Sequence, residues 1–144
     1  MATTSLTRRY QFSAAHRLHC DELSVEENRR IFGKCNNPNG HGHNYVLYVT
    51  VREAGEPTSR ARTDVEALDR LVQELVVARF DHRDLNRDPA FIARTTTGEN
   101  LVLLVWDLLA GNVPFGHLEK IGLVETRDNY FEYDGGAVST RERI

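Results

Sequence analysis

A few residues in this sequence have types and spacings that do chemistry. His41-Gly-His43 opens a segment rich in Tyr, Val and Thr. In a strand, side chains two apart leave the same face, so these two imidazoles project together, an arrangement suited to a metal ion. His16 closes a run in which Tyr10, Phe12, Ala14 and His16 share one side. If the two segments pair antiparallel, His16 reaches the same edge and adds a third nitrogen. Three histidines leave one tetrahedral position open, which separates catalytic zinc sites from closed structural ones. For His41 and His43 alone, the plain alternative is a polar strand face.

Cys35 precedes His41 in the loop Gly33-Lys-Cys-Asn-Asn-Pro-Asn-Gly40. A nearby cation would favour its thiolate. It also fits as a small buried hydrophobe, or as a fourth zinc ligand that would close the site. Asp81-His82 is a second pair. Adjacent residues point apart in a strand, but in a turn both can face one pocket; a capping aspartate beside a surface histidine is the alternative. Glu125 interrupts the apolar run Ile121-Gly-Leu-Val124, as either a solvent-facing carboxylate or a ligand anchor.

The elements that must position these groups follow from periodicity. Leu6 to His16 alternates as a strand, and a second strand is expected from about Gly42 to Arg52. Ser24-Val-Glu-Glu27 has the capping-box spacing and starts a short helix to about Phe32. Thr63-Asp-Val-Glu66 is a second such box, opening a helix to about Arg79 whose stripe is Val65, Leu68, Leu71, Val72, Leu75 and Val76. Asp81 to Thr97 reads as a loop. A helix from about Gly98 to Ala110 follows, with Thr96-Thr-Gly-Glu99 as a further box. His117 to Thr126 and Tyr130 to Asp134 alternate as strands around an Asp128-Asn129 turn. Strand, strand, helix, helix, strand, strand describes an α+β fold, an antiparallel sheet with helices on one face.

Size and charge restrict the function classes. A chain of 144 residues is expected to form one domain, residues 1–144, around one core. Its 40% hydrophobic and 27% charged content excludes a disordered chain or a disulfide scaffold. A net charge of -3 gives no basic excess for a phosphate backbone, so nucleic acid is not expected as a partner. The apolar run Leu101–Trp106 is too short to span a bilayer, so no membrane role is expected. The first residues carry no apolar signal region, so Cys20 and Cys35 are expected as free thiols of a cytoplasmic protein.

Phe12-Ser-Ala-Ala-His16, the string Phe32 to Tyr45, Asp81-His82, Thr97-Gly-Glu-Asn100 and Val124-Glu-Thr126 occur in this order. Together they resemble the 6-pyruvoyltetrahydropterin synthase family, from about Tyr10 to Tyr133. The related 6-carboxytetrahydropterin synthases of deazaguanine synthesis are similar, but usually carry a shorter gap between the cysteine and His-Gly-His. The five intervening residues here, Asn36 to Gly40, favour the pyruvoyl type.

The resemblance implies a tunnelling fold. Four-stranded antiparallel sheets, each with two helices on one face, join into a barrel by trimerisation, and two rings stack into a homohexamer with active sites between subunits. It implies a small-molecule substrate, 7,8-dihydroneopterin triphosphate, which loses triphosphate as its side chain rearranges by internal redox to 6-pyruvoyltetrahydropterin. Zn2+ would sit on His16, His41 and His43 and acidify the substrate's carbon-bound hydrogens. Cys35 would be the general base, with Asp81 and His82 as its relay. Glu125 would hold the pterin amino and ring N–H groups, assisted by Thr97 and Glu99.

The sequence departs from the family at Arg60-Ala-Arg-Thr63, where relatives usually end a strand with a glycine and an apolar pair. It departs more mildly at Gly98, where a hydroxyl residue or alanine is common. His19, Cys20 and His117 match no functional position. A non-catalytic zinc or pterin-binding protein, closed by Cys35 as fourth ligand, is the rival from another class.

Overall fold

Strand β1, Thr3–His16, pairs antiparallel with β2, His41–Ala54, in a register that sets Phe12 opposite Tyr45, Ala14 opposite His43 and His16 opposite His41. The computed structural model describes residues 3–54 and 62–136. β2 pairs on its other edge with β4, His117–Thr126, and β4 with β5, Asn129–Tyr133, both antiparallel. The β4–β5 turn is Arg127-Asp128, one residue earlier than expected, because Asn129 already pairs with Thr126.

Among the described residues the sheet has five strands, not the expected four. β3, Arg83–Asp84, runs parallel to β1 beside Ala14 and Ala15, giving the order β3-β1-β2-β4-β5 and a mixed sheet. Two residues are too short to show a period, so the sequence marks this strand only as loop. The rest of that loop is also ordered, by 3-10 turns at Leu85–Arg87 and Pro89–Phe91 capped by the Asp84 and Asp88 side chains.

Helix α1, Val25–Phe32, starts at the expected capping box: Ser24 Oγ accepts from the Glu27 N–H at 3.1 Å, and Glu27 Oε1 from the Ser24 N–H at 3.2 Å. The second helix begins at Arg62, so Thr63 lies inside it and is not the cap. Residues 60 and 61 of the Arg60–Thr63 departure lie outside the described residues. α2, Arg62–Val72, continues through a π-helical turn, Gln73–Val77, into α3, Ala78–Phe80. The wider turn lets Val76, Val77 and Phe80 all face inward. The rod stops where the Asp81 N–H bonds to the Val77 carbonyl at 2.8 Å, and the chain crosses onto the edge of β1.

Helix α4, Gly98–Leu109, packs on β4 and β5 through Leu101, Val102, Val105 and Leu109. Its cap is Thr97, whose Oγ1 accepts from the Asn100 N–H at 3.3 Å; the box expected from Thr96 to Glu99 does not form. A side chain at position 98 would place its Cβ 2.1 Å from the Phe131 ring, so glycine permits the helix to start against β5.

One core joins the inner sheet face (Phe12, Tyr45, Leu47, Val49, Ile121, Leu123) to the helices through Leu68, Val72, Phe80 and Val105. Each such side chain contributes about 1.5–3 kcal/mol by leaving water. The histidines of β1 and β2 extend this same inner face to its open end, where hydrocarbon gives way to imidazole.

Candidate metal centre and active site

The antiparallel register brings the three histidines together. Ring centroids lie 4.6 Å apart for His16 and His41, 4.9 Å for His16 and His43, and 4.7 Å for His41 and His43. One nitrogen from each falls within a common span of 4.8 Å. Among the described residues this is the only cluster of histidine, cysteine and carboxylate groups able to hold a metal ion, and Cys35 is not part of it.

His16 is oriented from behind. Its Nδ1 lies 2.7 Å from the Thr96 carbonyl, an obligate acceptor, so Nδ1 carries the proton and Nε2 presents a lone pair to the cluster. A backbone carbonyl leaves no mark in a sequence, so this contact could not be read there. His16 Nε2 and both His41 nitrogens are buried without a hydrogen-bond partner. Burial pushes the His16 pKa down to about 4, with the neighbouring imidazoles opposing a charge and the Thr96 bond only partly offsetting them. Burial, then His41, lowers His43 likewise. A tautomer fixed at His16 and partnerless ring nitrogens on His16 and His41, set beside His43, are what a divalent metal requires, so the donor set fits one.

Beside the cluster, Glu125 Oε2 stands 3.8 Å from His16 Nε2, its side chain 12% exposed. Burial raises the Glu125 pKa; the Asn129 side chain opposes this and the charge of Glu99 adds to it. Glu125 and Glu99 therefore share one neighbourhood, next to the Thr97 cap of α4.

Asp81 and His82 form a separate unit across β1. Asp81 Oδ1 accepts from the Ser13 N–H at 2.8 Å, the His82 N–H donates to the Ser13 carbonyl at 2.6 Å, and Asp81 Oδ2 meets His82 Nδ1 at 2.9 Å. His82 adopts φ +59°, a left-handed conformation that is uncommon outside glycine and that these contacts hold in place. The Ser13 N–H, then His82, keeps the Asp81 carboxyl below its ordinary range. The His82 side chain is 82% exposed. Cys35 lies in the 3-10 turn Gly33–Asn36 as a free, half-buried thiol, and Cys20 is free as well. No hydrogen bond joins Cys35 to Asp81 or His82 among the described residues of one chain.

The sequence model of 6-pyruvoyl tetrahydropterin synthase matches residues 5–136. The chain belongs to that family. It is 41% identical over 131 residues to the 6-pyruvoyl tetrahydrobiopterin synthase of Homo sapiens, covering 90% of each chain. It is 39% identical over 134 residues to that of Dictyostelium discoideum, covering 92% of this chain and 97% of the relative. The solved structure of Caenorhabditis elegans 6-pyruvoyl tetrahydropterin synthase superposes with a TM-score of 0.84 at 40% identity, covering 94% of this chain and 97% of that one.

Two further residues stand close to the site of this 6-pyruvoyl tetrahydropterin synthase family member and escaped sequence reasoning. Tyr45 stacks on Phe12 at 5.1 Å and meets the His43 ring edge-on at 5.6 Å, its hydroxyl buried. It shares the period of His41 and His43, the one signal that would have found it. Ser13 Oγ donates to Asn44 Oδ1 at 2.7 Å, tying β1 to β2 beneath Asp81.

Proposed function

We propose that this chain is a zinc-dependent 6-pyruvoyltetrahydropterin synthase, converting 7,8-dihydroneopterin triphosphate to 6-pyruvoyl-5,6,7,8-tetrahydropterin with loss of triphosphate. Membership of the family supports a lyase of this type. The observation that carries the metal assignment is the set of buried, partnerless nitrogens on His16 and His41 beside His43. These three would hold Zn2+. The ion supplies Lewis acidity, lowering the pKa of hydrogens on carbons next to the substrate's side-chain hydroxyls.

Cys35, as thiolate, takes a proton from such a carbon, and His82 exchanges that proton with it. Asp81 orients the His82 ring through Nδ1 and stabilises its protonated form, in keeping with their 2.9 Å contact. Glu125 accepts hydrogen bonds from the pterin amino and ring N–H groups, a charge-assisted pair that fixes the ring. Thr97 and Glu99 assist from the start of α4. Oxidation at one side-chain carbon is matched by reduction of the ring, so no external electron carrier is consumed.

No hydrogen bond joins Cys35 to the Asp81-His82 pair among the described residues of one chain, and His82 is exposed. Both facts support a homohexamer in which adjacent subunits complete the site, the sheets closing into a barrel by trimerisation. No helix of the described residues is long and apolar enough to cross a membrane, and we assign the enzyme to the cytoplasm.

Incubation with 7,8-dihydroneopterin triphosphate, followed by mass spectrometry of the products, tests the reading. 6-Pyruvoyltetrahydropterin and free triphosphate are expected. Release of acetaldehyde with a 6-carboxytetrahydropterin would overturn it in favour of the carboxy-type enzyme, and zinc binding without turnover would leave a binding protein.

A further inference from the structure

His19 matched no functional position in the sequence, yet the structure gives it a defined partner beside Cys35. Asn36, the residue after Cys35, is 4% exposed. Its Nδ2 lies 2.6 Å from the Leu18 carbonyl and 2.9 Å from His19 Nδ1. The Leu18 carbonyl can only accept, so the amide nitrogen must face it, and the second hydrogen of that nitrogen points to His19. His19 Nδ1 is therefore an acceptor, and its ring proton is on Nε2, 3.5 Å from Asp21 Oδ1. Two more bonds close the arrangement: the Leu18 N–H donates to the Cys35 carbonyl at 2.8 Å, and Arg17 Nε to the Asn36 carbonyl at 3.0 Å.

These contacts strap the Cys35 turn to the three residues that follow β1. His16, a member of the imidazole cluster, ends that strand. The same short segment thus carries a cluster histidine at one end and, through Leu18 and His19, grips the thiol turn. We propose that His19 is a positioning residue: its Nδ1 holds the Asn36 amide and fixes Cys35 relative to the His16 cluster. The catalytic part of the proposal rests on reading Cys35 as the base; the strap itself does not.

The test compares His19→Leu, which removes the acceptor, with His19→Asn, whose Oδ1 occupies the place of Nδ1. In the intact zinc-loaded protein, hydrogen exchange measures the protection factor of the Leu18 amide, and steady-state kinetics with 7,8-dihydroneopterin triphosphate measures kcat and KM. His19→Leu should lower Leu18 protection about tenfold and kcat about tenfold, with KM within about twofold, because a small displacement of a reacting group costs rate more than binding. His19→Asn should restore both to within about threefold. Unchanged Leu18 protection in His19→Leu would overturn the strap, as would failure of His19→Asn to restore it. Lost protection with full kcat would overturn the positioning role, and loss of zinc in His19→Leu would show that the effect runs through His16 instead. Full turnover by Cys35→Ala would instead sink the base assignment, and Leu18 protection would still decide the strap.

Discussion

His16 Nδ1 donates to the carbonyl of Thr96 at 2.7 Å, across a sequence separation of 80 residues. This bond ties the histidine cluster to the segment that caps α4, so imidazole orientation and helix start are one unit. It selects the His16 tautomer that leaves Nε2 free. The bonded segment runs directly into Thr97, the cap of α4.

Zinc should be measurable at about one ion per chain by elemental analysis, and a chelator should remove it together with turnover. Because the ligands are preassembled only in the folded state, zinc at about 100 times its Kd should stabilise folding by about 2.7 kcal/mol. His41→Ala should abolish that increment in thermal unfolding. An unchanged zinc-dependent shift would contradict the cluster assignment.

Cys35→Ala should keep its zinc and lose turnover, since the thiol stands outside the imidazole cluster. Elemental analysis and product assay on the same sample separate the two effects. Sulfur in the zinc coordination shell by X-ray absorption would instead make Cys35 a ligand.

Glu125→Gln should act mainly on substrate binding. A hydrogen bond to a charged group is worth about 1.5–3 kcal/mol, which corresponds to a rise in KM of roughly 10- to 150-fold. Measured kcat and KM at saturating zinc decide this, and a KM near that of the unaltered chain would remove Glu125 from the ring-binding role.

Acid stability should depend on Arg79 and Asp88. The guanidinium bonds the carboxylate at 2.9 and 2.7 Å, and the Asp88 side chain is 10% exposed. Arg79, then the Ala90 N–H, holds the Asp88 carboxyl below its ordinary range, with burial opposing. A carboxyl whose pKa falls on folding contributes fully above the unfolded value of about 3.9, and loses that contribution as pH drops through the folded value. Arg79→Leu should therefore destabilise the protein by about 1–2 kcal/mol at pH 7 and by less at pH values below the folded carboxyl. Urea unfolding at both pH values measures this, and an equal loss at each would discount the pair.

Gly98→Ala should cost about 1–3 kcal/mol, because its methyl group would meet the Phe131 ring. Adding Phe131→Leu should recover part of the loss. Thermal unfolding of the single and double variants reads this coupling directly.

Local pattern alone determined that His16 closes β1, that His41 and His43 open β2 on one face, and that Ser24 starts a helix. These depend on local geometry, the two-residue repeat of a strand and the spacing of a capping box, which a sequence displays openly. The string from Phe32 to Tyr45, with the shorter motifs around it, carried the resemblance to the family, and the match of the family over residues 5–136 bears it out. Only the tertiary structure decided that Thr96 fixes the His16 tautomer, that Arg83–Asp84 forms a fifth strand, and that Asn36 is gripped by Leu18 and His19. The Thr96, Arg83–Asp84 and Leu18 contacts run through backbone carbonyl or N–H groups, which every residue type carries, and the His19 ring meets Asn36 only once the turn has folded back against the end of β1, so composition and spacing are blind to them. That no hydrogen bond joins Cys35 to Asp81 or His82 within one chain also belongs to the fold, since the meeting of two loops is set by the register of the sheet between them.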